Sequence, residues 1–341
     1  MTVTSEQLLV GPRGRRLCWE LTVPADQDTP GWAWQLQERP TPARLRAASQ
    51  ELARVDAPAL AADARAVLRA LVQAVDAARY WQPPDEIDRA LAGPELQAAL
   101  APVAQALSAS PSLGWWSRPV ARLQQRWVQF TGMSRDGPPL WRGAAGELAR
   151  WRAAALDMEA QCRAATSSRQ PPDSGEWWST PSVSALLSTT GPAPGLEALG
   201  LVAVEDSFGP EPARIWPVAV DSRARVYEIT GPEDWVRLVS AYPLELTASK
   251  GLDWPTITGV TGRWFLPDWP AVAADYDGVH LSVAGYLATN GRALPVPGGQ
   301  TVLAGWDPDA TWWLTDVLHH HGEPRLWTPD AEDVLAWTVQ A

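Results

Sequence analysis

Apolar residues recur every three to four positions through residues 40–167, and every second position beyond residue 196. The chain therefore reads as a helical half followed by a strand-rich half. The clearest helical stripe is Leu60, Ala64, Val67, Leu68, Leu71, Val72 and Val75 within a predicted helix at 58–81. Further helices are predicted at 42–55, 84–92, 94–108, 118–130 and 143–165. Their breaks fall at Pro83-Pro84, Gly93-Pro94 and Gly137-Pro138-Pro139, which punctuate helix ends. Ahead of them, 7–10 and 16–23 read as a strand pair around the turn Gly11-Pro12-Arg13-Gly14. Residues 24–42 read as a loop carrying Trp32 and Trp34.

In the second half, strands are expected at 214–220, 225–229, 262–266, 278–284, 301–305 and 311–318, with helices at 232–242 and 268–275. The expected class is α+β: residues 1–167 form a mainly helical domain opened by the strand pair, and 196–341 a mostly antiparallel α+β domain. The Ser-, Thr-, Pro- and Gly-rich stretch 168–195 reads as the linker or long loop between them.

Composition sharpens this picture at a few points. The chain has 341 residues, enough for about two domains. It holds 21 tryptophans against 3 phenylalanines. Part of that excess follows from a GC-rich coding bias, since Lys250 is the one lysine and Asn290 the one asparagine. The remainder suits aromatic surfaces that hold flat ligands or protein partners. A net charge of −11 argues against nucleic acid and anionic membranes as partners. No apolar run reaches the length of a bilayer span, and residues 1–10 lack the form of a secretory signal. Cys18 and Cys162 form neither a disulfide framework nor a zinc ligand set, so a cytoplasmic location is expected.

Three segments carry candidate chemistry. In 275–286, His280 and Ser282 fall on one face of the expected strand, and Gly285 and Tyr286 end it. An imidazole, a hydroxyl, a ring and an open backbone suit a flat heterocycle on a ribose, or equally one satisfied polar pair. In 223–229, Arg225 and Tyr227 share a face, which suits a diphosphate, or equally a solvated edge strand. Asp307 and Asp309 precede an aromatic strand; a carboxylate there suits an oxocarbenium-like centre, and both are also ordinary turn formers.

Two other runs are weaker. His319, His320 and His321 cannot all reach one ion from a regular strand, so a solvated loop is expected and no metal site. Gly11-Pro-Arg-Gly-Arg-Arg16 is basic and glycine-punctuated, yet lacks the phosphate-loop pattern; pairing with acidic residues is its simpler reading.

The order of an Arg-bearing strand (225–232), a Ser-bearing strand (279–282) and an acidic turn resembles the Arg–Ser–Glu plan of mono-ADP-ribosyltransferases. The resemblance covers residues 214–318. It implies NAD as substrate and no metal. Arg225 would anchor the dinucleotide, Ser282 support the nicotinamide ribose, and Asp309 stabilise the oxocarbenium ion, with His280, Tyr227, Gly285 and Tyr286 alongside. The sequence departs from that plan where Asp replaces the catalytic Glu and the serine lacks its flanking hydroxyl residues. The two-part layout also resembles uncharacterised proteins of GC-rich bacteria, which implies no activity. An NAD-using transferase or glycohydrolase therefore stands beside a non-catalytic adaptor or immunity-type protein that binds a protein partner through tryptophan-rich surfaces.

Overall fold

The computed structural model describes residues 3–23, 33, 36, 40–132, 142–165, 176–181, 186–207 and 209–340. Trp32, Trp34 and part of the expected linker (168–175 and 182–185) lie outside these residues. The fold is α+β, with helices around a mixed, mostly antiparallel sheet.

Thirteen strands occur among the described residues: β1 Gln125–Phe130, β2 Ser188–Thr190, β3 Ala213–Val220, β4 Val226–Ile229, β5 Pro243–Glu245, β6 Phe265–Pro267, β7 Gly278–Leu281, β8 Leu294–Val296, β9 Gly299–Thr301, β10 Ala310–Trp313, β11 Leu318–His320, β12 Arg325–Pro329 and β13 Trp337–Val339. Nine of them form one sheet in the order β13-β12-β3-β1-β2-β10-β7-β4, with β11 also on β3. Every pairing is antiparallel except β4 with β7. β5/β6 and β8/β9 are separate two-stranded ribbons.

The main core lies on one sheet face and takes in residues from both halves of the chain, from Val3 to Leu335. A small second cluster around Leu187, Val218, Ala224, Trp313 and Leu318 lies on the other face. The tryptophans serve this packing. Trp235, Trp269 and Trp306 meet in one group, and among the described tryptophans only Trp81 is exposed. Trp115, Trp127, Trp177, Trp178, Trp312, Trp327 and Trp337 are half-buried.

Four local expectations are corrected. The opening strand pair is instead two helices, Ser5–Val10 and Pro12–Glu20. Thr4 and Gln7 form a reciprocal capping box, and Pro12 is preset for a first helical turn, so local capping wins over the two-residue alternation of Leu17, Trp19 and Leu21. The expected helix 58–81 breaks at Asp63, whose carboxylate accepts from the Arg65 and Ala66 N–H groups and starts a new helix, Ala64–Asp76.

Residues expected as a helix at 118–130 hold a short 3-10 turn and then β1, whose six residues pair in register with β3. Long-range pairing overrides a helix-like spacing that leaves Leu123 almost fully exposed. The expected strand 278–284 stops at Leu281. Ser282 caps a helix, Val283–Thr289, by accepting from the Gly285 N–H at 3.0 Å. That helix is buried along its whole length.

The site described next sits where the first two helices meet Val283–Thr289. The approach is close: a Cβ at Gly11 would stand 2.2 Å from the Leu287 carbonyl oxygen, so only glycine fits there.

Candidate functional site

The seven residues singled out in the sequence divide into separate places. His280 and Asp309 do meet. The imidazole is buried, with Nδ1 2.5 Å from Glu228 and Nε2 3.3 Å from Asp309. The register explains the contact, because Glu228, His280, Thr311 and Thr189 align side by side across β4, β7, β10 and β2. Asp309 is held in a left-handed backbone conformation (φ 57°) and also accepts from the Gly191 N–H. Burial opposes a charged imidazolium here, but the bonds to Asp309 and Glu228 outweigh it and lift the His280 pKa to about 9. Both ring nitrogens are engaged, so His280 acts as a charged tie between strands.

Ser282 does not share a strand face with His280. It lies at the helix cap, donates to the Ile229 carbonyl at 3.1 Å and is 1 % exposed. Arg225 lies at the opposite end of the strands, where it forks onto Asp277 at 3.1 and 3.2 Å. β4 and β7 run parallel with Val226 opposite Gly278, so Arg225 and Ser282 stand roughly five strand residues apart, about 16 Å. Tyr227 donates to the Asp234 carbonyl. Gly285 allows its helix to touch Ile229, where a Cβ would lie 2.2 Å from a carbonyl oxygen. The expected trio of Arg225, Ser282 and Asp309 therefore does not surround one pocket.

Tyr286 belongs to a different group. It is fully buried, and its hydroxyl lies against the Glu205 carboxyl without completing a hydrogen bond. Glu205 accepts from the Asn290 side-chain amide at 2.5 Å and the Gly305 N–H at 2.7 Å. Its own N–H donates to Asp307 at 2.8 Å. Burial, reinforced by Asp307, raises the Glu205 pKa to about 8, and burial raises Asp307 to about 6. Tyr80 stands on the other side of Asn290.

Glu205 has a measurable consequence. Its folded pKa lies above the unfolded value of 4.5, so the folded state binds the extra proton between them. Stability from this group is complete below about 4.5 and is lost as pH rises towards about 8. His280, raised from 6.5 to about 9, adds a loss in the same direction over its own range. We expect chemical denaturation to show stability falling from pH 6 to pH 9, and Glu205→Gln to flatten that slope. An unchanged slope in Glu205→Gln would remove Glu205 as its source.

Tyr80 also lines a cavity of about 690 Å³ between the helix Pro12–Glu20, residues 73–92, and residues 257–260 and 291–293. Six arginines and four carboxylates line it, and Glu86 and Asp206, just outside the lining, balance the remaining charge. Four of the arginines are paired. Arg13 is joined to Asp88 and donates to the Ala74 carbonyl, and Arg16 reaches Glu20, Asp85 and Asp88. Arg79 lies near Asp76 and Asp206, and Arg89 pairs with Glu86.

Arg15 and Arg292 differ. Among the described residues no carboxylate lies within ion-pair distance of either. Arg15 donates to the Leu9 and Val10 carbonyls at 2.9 and 2.8 Å, and Arg292 to the Ala288 carbonyl at 2.7 Å. Burial lowers the pKa of both. At Arg15, Asp88 offsets part of this while Arg13 and Arg292 lower it further, and at Arg292 it is Glu233 that offsets part of it.

The basic run at Arg13–Arg16 was visible in the sequence, though it forms a helix face and no hairpin. Arg292 and Tyr80 gave no signal, because only the tertiary fold brings them to that helix. The exposed His319 and His320 lie on β11, and no group of three metal-ligating side chains occurs among the described residues. No helix among the described residues is long and apolar enough to cross a membrane. No family model, curated protein or solved structure matches this chain.

Proposed function

We propose that this chain binds a phosphate-bearing small molecule of nucleotide size in the arginine-lined cavity. NAD, implied by the resemblance to mono-ADP-ribosyltransferases, belongs to this class. The observation that carries the reading is the gathering of six arginines around one cavity of about 690 Å³. Small-molecule sites typically span ~300–1,000 Å³ and combine apolar walls with a few polar groups. Here Ile257, Val260 and Ala293 supply the apolar wall. Arg225, Ser282 and Asp309 do not line the cavity, so the reading is one of binding, and transfer of ribose through that trio gains no support. The burial of Cys18 and Cys162 agrees with residence in a reducing compartment such as the cytoplasm.

The test is ligand-induced stabilisation. Linkage predicts about 2.7 kcal/mol at a free ligand concentration of 100 times Kd. AMP, ADP and NAD are titrated against thermal unfolding. We expect at least one to raise Tm in a saturable manner, and Ala293→Trp, which fills the cavity, to abolish the rise. No stabilisation of the intact chain by any of them at millimolar concentration would contradict the reading.

A further inference from the structure

We propose that Arg15 and Arg292 form a clamp for one dianionic phosphoryl group, either a phosphomonoester or a diphosphate. This rests on the cavity reading above and assigns the part of the ligand that the charge serves.

Three observations support the pair. The first is selective lack of compensation. Each of the other four arginines lining the cavity has a carboxylate partner, while these two have none among the described residues. Both side chains are half-buried, so their guanidiniums are partly desolvated and an anion beside them would repay that cost.

The second is how the two are held. Arg15 uses Nη1 on carbonyls at the end of the helix Ser5–Val10, and Arg292 uses Nη1 on a carbonyl near the end of Val283–Thr289. Carbonyl-rich helix ends favour cations and fix these groups without neutralising them. One face of each fork remains for a ligand. Arg15 Nε is moreover buried with no acceptor, an unmet donor at this point.

The third is charge count. Two guanidiniums with no carboxylate in ion-pair contact among the described residues match a group of charge about −2, the value a phosphate monoester approaches near pH 7. Planar forks suit bidentate contact with phosphoryl oxygens, which an ammonium does not reproduce.

The clamp is tested by calorimetric titration of the full chain with inorganic pyrophosphate, AMP and adenosine. Wild type, Arg15→Gln, Arg292→Gln and the conservative Arg15→Lys are compared, with the exposed Arg54→Gln as control. We expect pyrophosphate and AMP to bind, adenosine to bind far more weakly, and each glutamine variant to lose at least about tenfold in affinity, as expected for one charge-assisted hydrogen bond. Arg15→Lys should keep part of the affinity, and added salt should weaken binding. Tighter binding of AMP assigns the group to a nucleotide, and tighter binding of pyrophosphate assigns it to free diphosphate; either supports the clamp.

Unchanged AMP affinity in both glutamine variants would overturn the clamp and leave the cavity reading standing. Equal binding of adenosine and AMP would overturn it as well. Absence of binding by all three ligands to wild type would overturn both. Should Arg15→Gln fail to fold, Arg292→Gln carries the test, since it gives up a single carbonyl contact.

Discussion

Arg13→Met is expected to lower the unfolding free energy by about 3–5 kcal/mol, the range for removing one partner of a buried ion pair. Arg13 and Asp88 are both buried, at 2 % and 9 % exposure, and their side chains are joined directly. Burial works against the charge on Arg13, but Asp88 outweighs it and holds the guanidinium firmly protonated. Methionine fills much of the same volume, yet it leaves Asp88 with only Arg16 at 3.4 Å and orphans the Ala74 carbonyl that Arg13 now serves. A neutral acceptor and a half-compensated carboxylate would then be enclosed under the cavity. Urea denaturation with an unchanged m-value measures the loss. The double change Arg13→Met with Asp88→Leu should recover part of it, because two apolar groups need no compensation. A loss below about 1 kcal/mol in the single variant would show that the pair is solvated.

Trp306→Ala is expected to cost about as much, ~3–5 kcal/mol, for a different reason. Its ring is fully buried, stands edge-on to Trp235 at 6.3 Å and tilts against Trp269 at 5.8 Å. Its Nε1 donates to the Ala310 carbonyl at 3.1 Å. Truncation removes a whole indole from that group, leaves a void that neighbouring rings fill only partly, and frees a carbonyl at the start of β10. Trp306→Phe keeps most of the volume and gives up only the donor, so it should cost clearly less. The pair of variants, followed by denaturation, separates packing from hydrogen bonding. Equal losses would mean that the indole N–H dominates, contrary to this account.

These two effects show where the sequence was readable. Helices 42–52, 94–109 and 232–241 were legible because a proline in the first turn agrees with their apolar spacing, and the strand at 213–220 because its apolar residues alternate. β1 was not, since Gln125–Phe130 is a strand only through its neighbours β2 and β3. The opening helices were missed because alternation in Leu17, Trp19 and Leu21 outweighed a capping box that was present in the letters. In the pairs Trp115/Trp116 and Trp312/Trp313 one ring is buried and its neighbour half-buried, as adjacency along the chain implied. The number of tryptophans was visible; which way each ring points depends on packing. At the site, the contact of His280 with Asp309 lay within the candidate set, while Glu228, its closer partner, did not. The unpaired state of Arg15 and Arg292 is a property of what fails to lie nearby. No motif encodes that.

The most direct measurement is a crystal structure of the chain grown with AMP. The phosphoryl oxygens should lie within hydrogen-bond distance of both Arg15 and Arg292, with the rest of the molecule along Tyr80 and the Ile257–Val260 wall. A structure at saturating AMP with those two guanidiniums facing only water, or with the nucleotide bound elsewhere, would contradict the account.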